Sequence, residues 1–137
     1  MPSQKARIII DTNLWISFLV SNDYSKLDRI LSDKKVTLLY SQELIDEFIE
    51  VATRPKFGKY FTPLDLQNLV LTLSTRSIFM EVSSAINICR DAKDNFLLAL
   101  AKDGKATHLI TGDKDLLTLK VFHKARILTL TEYLREI

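Results

Sequence analysis

The chain has one cysteine in 137 residues, Cys89, so no internal disulfide can form. That agrees with a reducing, cytoplasmic setting. Neither Cys89 nor the two histidines, His108 and His123, belongs to a cluster with metal-ligand spacing, so a zinc centre is not indicated. Cys89 therefore reads as a small buried side chain, and both histidines read as structural. No apolar run approaches the ~20 residues a membrane helix needs. The segment Met1–Arg7 runs straight into the first expected strand and leaves no room for a signal peptide. Internal repeats and low-complexity tracts are absent, and a net charge of +2 permits a nucleic-acid partner without arguing for one.

What is present is a globular composition, 47% hydrophobic and 26% charged, in a length that suits one domain spanning residues 1–137. The chain is organised around Ile8-Ile9-Ile10-Asp11-Thr12-Asn13. Three successive isoleucines read as a strand buried on both faces. A carboxylate directly after such a run is costly unless a cation, convergent donors or protonation compensates it. Alternatively, Asp11 or Thr12 caps a helix beginning near Leu14. Both readings stand open at this stretch.

Further along, Asn13–Val20 is a helix apolar nearly all round, with Trp15 and Phe18 placed in the core by default. Helix Tyr24–Asp33 and strand Val36–Tyr40 follow. Ser41 caps a helix to about Thr53, whose stripe is Leu44, Ile45, Phe48, Ile49 and Ala52. Pro55 stops it. Thr62 caps the next helix, with Pro63 in its first position, and Ile78–Val82 is a third strand. Phe96–Asp103 is a helix of central position, ended by Gly104 as a C′ glycine. His108–Thr111 and Arg126–Thr129 are the last strands, and Thr131 caps a final helix. Strands alternating with helices indicate a parallel sheet of about five strands, covered by helices on both faces.

In such sheets ligands bind beyond the carboxyl ends of strands, where strand order reverses. Asp113 follows the fourth strand as Asp11 follows the first. If those strands are neighbours, both carboxylates open into one crevice, with Glu47 and Asp94 placed to join them. Four ionised carboxylates sharing a pocket need a cation, and an all-oxygen set suits Mg²⁺ or Mn²⁺. Each acid also has a plain structural role open to it. Asp94 or Asp91 can cap a helix, and Asp113 or Asp115 can sit in a turn. Helical periodicity places Asp46 and Glu47 at opposite borders of the apolar stripe and cannot choose between them.

Asp11-Thr12-Asn13, Glu43–Phe48 with Arg54-Pro55-Lys56-Phe57, Asp91–Phe96 and Thr111–Leu117 occur in an order and spacing that resemble a PIN domain. Within that superfamily the chain is similar to the VapC-like toxin components of toxin–antitoxin systems, over roughly residues 7 to 135. The resemblance implies a three-layer α/β/α sandwich with the first and fourth strands central, and a metal-dependent endoribonuclease. It implies Asp11, Glu47, Asp94 and Asp113 as the acidic, metal-holding quartet, with Asp115 as a possible extra member. Thr12 and Asn13 would orient Asp11 or a water, and Thr111 would support the same pocket. It further implies a homodimer and a small antitoxin partner.

Arg54, Lys56 and Lys59, interleaved with Phe57, Tyr60 and Phe61, are candidates to track RNA. An ordinary packed connector is the competing reading. Lys114 and Lys120 are further rim candidates. The rival functions are an acid site that binds metal and nucleic acid without cutting, and a phosphotransfer domain using Asp11 as nucleophile. The latter usually wants a second acid beside its nucleophile, which Asp11-Thr12-Asn13 does not offer.

Overall fold

In the structure, a computed structural model describing residues 5–137, the three isoleucines lie at the centre of the sheet. Ile8, Ile9 and Ile10 are 0%, 0% and 2% exposed. They belong to β1 (Ala6–Ile10), which is followed by α1 (Thr12–Ser21), α2 (Ser25–Leu31) and β2 (Val36–Tyr40). Next come α3 (Gln42–Ala52), a short 3₁₀ turn (Pro55–Phe57), α4 (Pro63–Ser74) and β3 (Ser77–Phe79). The chain ends with α5 (Ala92–Asp103), β4 (His108–Ile110), α6 (Lys114–Leu119), β5 (Val121–Phe122), β6 (Ala125–Leu128) and α7 (Leu130–Glu136). The reading of Met1–Gln4 as a lead-in lies outside the described residues.

The six strands run in the order β3-β2-β1-β4-β6-β5. All pairings are parallel except β5 with β6. β1 and β4 are therefore adjacent, with Ile10 opposite Ile110, at the point where the connections reverse direction. Side chains alternate between two cores, as the pleat requires. Ile8, Ile10, Leu38 and Ile110 pack with α1, α2, α4 and α7. Ile9, Leu39, Leu109 and Ile127 pack with α5 and α6. The result is the expected three-layer α/β/α arrangement.

Several local expectations need correcting. The sheet has six strands, because Val121–Phe122 folds back against β6 as a two-residue hairpin arm. Lys114–Leu119 is helical, capped by Asp113. β3 stops at Phe79, not Val82, because its partner β2 ends at Tyr40, and the Met80 N–H makes the last rung to Tyr40 O at 2.8 Å. Beyond it the N–H groups of Ser83 and Ser84 bond to the Asp103 carboxylate. Thr129, not Thr131, caps α7, in a reciprocal box with Glu132. Gly104 ends α5 in a right-handed conformation, φ −83°. It is required for closeness, since a Cβ there would lie 2.9 Å from both Leu100 O and Leu39 Cδ1. The left-handed residue is its neighbour Lys105, φ 52°. The Thr62 cap, with Pro63 following and Asp65 closing the box, is as expected.

Candidate metal and phosphodiester site

The sheet delivers Asp11 and Asp113 to one edge. The Asp11 N–H bonds to Ile110 O at 3.0 Å, continuing the β1–β4 ladder one residue past both strands. Trp15 fixes the start of α1 over this edge through its indole N–H, which donates to Ile10 O at 3.1 Å. Thr111, fully buried, joins the two acids. Its hydroxyl donates to Asp11 Oδ2 at 2.7 Å and accepts from the Asp113 N–H at 3.0 Å.

Asp11 is 7% exposed and sits at the N-cap position of α1 without a side-chain cap bond. Capping thus does not account for it. Burial pushes its carboxyl above the usual range, opposed by the Thr111 hydroxyl, the Asn13 backbone and Lys93. Asp94, only 3% exposed, stands in the first turn of α5. The cap there is Asp91, whose carboxylate accepts the Lys93 N–H at 3.1 Å. Burial first, then the negative charges of Asp113, Asp91 and Asp11, push Asp94 from 3.8 up to about 6. Among the described residues no group donates a hydrogen bond to its side chain, and only the Lys93 ammonium opposes the upward push.

Glu47 resolves the ambiguity left by periodicity. Its side chain is 19% exposed and lies 3.9 Å from Lys93 Nζ. Its carboxyl is pushed up by burial and by Asp11, Asp91 and Asp94, with Lys93 opposing. Asp46 is exposed and accepts from Gln42 Nε2 at 2.8 Å. Packing of α5 beside α3 makes the choice, which no single-helix pattern contains.

Asp113 is half-buried and does double duty, since its Oδ1 caps α6 through the N–H groups of Asp115 and Leu116. Asp115 itself is exposed and pairs with Arg90 at 3.3 Å. It is the outermost of the five acids. Thr12 is fully buried and its hydroxyl has no partner among the described residues, while the side chain of Asn13 is exposed.

Arg54, Lys56 and Lys59 lie past the end of α3, in and around the 3₁₀ turn, and Arg54, the nearest in sequence, is about two turns or ~10 Å along the helix axis from Glu47. Arg54 pairs with Glu50 at 3.0 Å, and the ammonium groups of Lys56 and Lys59 sit over the adjacent Phe57 and Tyr60 rings. His108 is half-buried at the opposite end of β4, against Thr107 and Tyr133, as a structural histidine would be.

Sequence reasoning gave no role to two further residues. Lys93 is the cation acting on Asp11, Glu47 and Asp94 alike. Asn95, 8% exposed, clamps the approach to α5. Its Oδ1 accepts from the N–H groups of Ile88 and Cys89, and its Nδ2 donates to Cys89 O. Both lie in the quoted Asp91–Phe96 stretch. A buried amide next to a wholly apolar run was the signal available for Asn95.

The donor chemistry fits a hard divalent cation: carboxylate oxygens from four elements, two of them buried, with an unpartnered buried hydroxyl at Thr12 beside Asp11. Among the described residues no three acidic, histidine or cysteine side chains converge closely enough to hold one ion directly. Mg²⁺ commonly keeps several waters and takes only one or two protein carboxylates. The spread of Asp11, Glu47, Asp94 and Asp113 is therefore compatible with an ion reached partly through water. Asp11, Asp91 and Asp113 stand at the N-cap positions of α1, α5 and α6, the last two with side-chain cap bonds. Helix dipoles there partly offset the crowding of negative charge.

Comparison with known proteins bears on the family and the fold. A PIN domain family model matches residues 7–115. The uncharacterized protein MJ1680 of Methanocaldococcus jannaschii is 31% identical over 126 residues, covering 88% of this chain and 79% of that protein. The crystal structure of VapBC2 from Rickettsia felis, bound to a promoter DNA fragment, aligns at TM-score 0.59 and 16% identity, over 88% of this chain and 96% of that one. Mycobacterium tuberculosis VapC20, described as a sarcin-ricin loop cleaving toxin, aligns at TM-score 0.58 and 14% identity, over 87% and 98%. The two structural likenesses speak to the fold, and the family match speaks to descent: the chain belongs to the PIN domain family.

Proposed function

We propose that the protein is a divalent-metal-dependent endoribonuclease, the toxin of a toxin–antitoxin pair, folded as one domain over residues 1–137. The observation that carries the reading is a pair of buried carboxylates, Asp11 and Asp94, facing Glu47 and Asp113 at the strand-order reversal. Four acids so placed repel one another unless a cation joins them. The toxin assignment draws support from the fold shared with VapC20. An antitoxin protein, a homodimeric state and a cytoplasmic setting belong to the same proposal.

Asp11, Glu47, Asp94 and Asp113 would hold Mg²⁺ or Mn²⁺, with Asp115 at the outer margin. When bound, the ion acidifies water for attack and neutralises charge on the phosphoryl oxygens. Thr111 fixes the Asp11 carboxylate and positions the Asp113 backbone. Asp113 spends Oδ1 on capping α6, which would leave Oδ2 for the ion. Thr12 offers an unspent hydroxyl for a water or a substrate oxygen, and Asn13 offers an exposed amide beside it. Lys56 and Lys59 remain candidates for outer contacts to the RNA backbone, with Arg54 held back by Glu50.

The test is incubation of a mixed RNA pool with wild type and Asp11→Ala, with and without Mn²⁺. Cleavage by wild type only, and only with the ion, is the expected result. The looser spacing of the acids favours one other reading, a metal- and nucleic-acid-binding module that does not cut. Equal protection of RNA by wild type and Asp94→Asn, with no ion-dependent cleavage by either, would establish that instead.

A further inference from the structure

Lys93 is out of place by local rules. It occupies the second position of α5, where the positive end of the helix dipole disfavours a cation. Its ammonium nevertheless turns into the acid pocket, 3.9 Å from Glu47 Oε1 and 3.8 Å from Asp91 Oδ2. Both distances exceed a hydrogen bond, so the ammonium is held by the field of the surrounding carboxylates, not by a directed contact. Asp11 and Asp94 feel the same charge. The side chain is 42% exposed on a flexible four-carbon stem, so it can leave without disturbing the helix.

We propose that Lys93 is a built-in counter-cation of the acid pocket, which competes with a divalent ion for the same carboxylates and so sets how much of that ion the site requires. The proposal rests on the metal-binding reading of Asp11, Glu47, Asp94 and Asp113. A divalent ion and the ammonium cannot share Glu47 at close range, because like charges in one pocket repel. Binding of the ion therefore entails loss of the Lys93–Glu47 contact and weakening of the Lys93–Asp91 contact. Partly exposed ion pairs are each worth up to about fivefold in an equilibrium constant. Two of them, one lost outright and one weakened, put the effect at up to about tenfold in ion affinity.

The experiment titrates Mn²⁺ into the full-length protein and follows free Mn²⁺ by electron paramagnetic resonance, without RNA. Lys93→Met keeps the stem and removes the charge, Lys93→Gln repeats this with a polar end, and Lys93→Arg keeps the charge. The two neutral variants are expected to bind Mn²⁺ more tightly than wild type, by more than about twofold and up to about tenfold. Lys93→Arg should stay within about twofold of wild type. The rise in melting temperature at a fixed Mn²⁺ concentration should follow the same order. Wild-type binding with neutral variants that bind equally or more weakly overturns the Lys93 proposal alone. Mn²⁺ binding by none of the proteins overturns the metal reading, and this proposal with it.

Discussion

Replacing Asp94 by Asn separates what the acid does for the fold from what it does for the site. Asp94 is 3% exposed, receives no hydrogen bond from the described residues, and is pushed from 3.8 to about 6. That displacement corresponds to about 3 kcal/mol between its two protonation states. Since the folded value lies above the unfolded one, the contribution of Asp94 to stability is intact below about pH 3.8 and is lost as the pH rises through about 6. At neutral pH the wild-type fold therefore carries an ionised, buried carboxylate that only the Lys93 ammonium partly offsets. Asparagine has nearly the same shape and no charge, but its own amide must be solvated, which trims the gain to about 1.5–3 kcal/mol. In a chain of 137 residues that is about 5–10 °C in melting temperature. The assay is thermal denaturation in EDTA, near pH 7.5 and near pH 4. Asp94→Asn should be the more stable protein at the higher pH and level with wild type at the lower. With Mn²⁺ the order should narrow or invert, because the variant loses a ligand. A variant no more stable than wild type near pH 7.5, or a gap indifferent to pH, would refute this reasoning.

Thr111→Val should cost about 1–3 kcal/mol, because it strips the hydroxyl from Asp11 Oδ2 and the acceptor from the Asp113 N–H. It should also weaken Mn²⁺ binding by about tenfold to a hundredfold, as loss of a ligand-orienting bond does. Asn95→Ala removes three hydrogen bonds and should cost about 2–4 kcal/mol in urea unfolding, with faster amide exchange at Ile88 and Cys89. Asp115→Asn breaks only an exposed pair with Arg90, so stability should hold within about 0.5 kcal/mol. RNA cleavage should hold within about twofold, and a loss beyond about tenfold would make Asp115 a full member of the metal set.

The layered fold could be read from Ile8-Ile9-Ile10 and its alternation with helices, because burial on both faces leaves a compositional mark. Asp11 could be singled out for the same reason, since a carboxylate after three buried isoleucines needs a partner. The neighbouring of β1 and β4 is a topological fact that parallel-sheet rules favour but do not specify. Glu47 could not be distinguished from Asp46 by periodicity, since the packing of α5 beside α3 decides it. The two-residue β5 is too short to show a pattern, and α6 starts inside Gly112-Asp113-Lys114-Asp115, which reads as a turn. The length of β3 is set by its partner, not by its own residues. Lys93 was invisible as a site residue, because only the folded chain brings Glu47 to within 3.9 Å of it.

Mn²⁺-soaked crystals examined by anomalous scattering address the shared cation itself. The expected result is an anomalous peak enclosed by Asp11, Glu47, Asp94 and Asp113, at about 2.0–2.2 Å from at least one carboxylate and joined to the others through water. A protein that takes up Mn²⁺ elsewhere, leaving those four side chains unliganded, would contradict it.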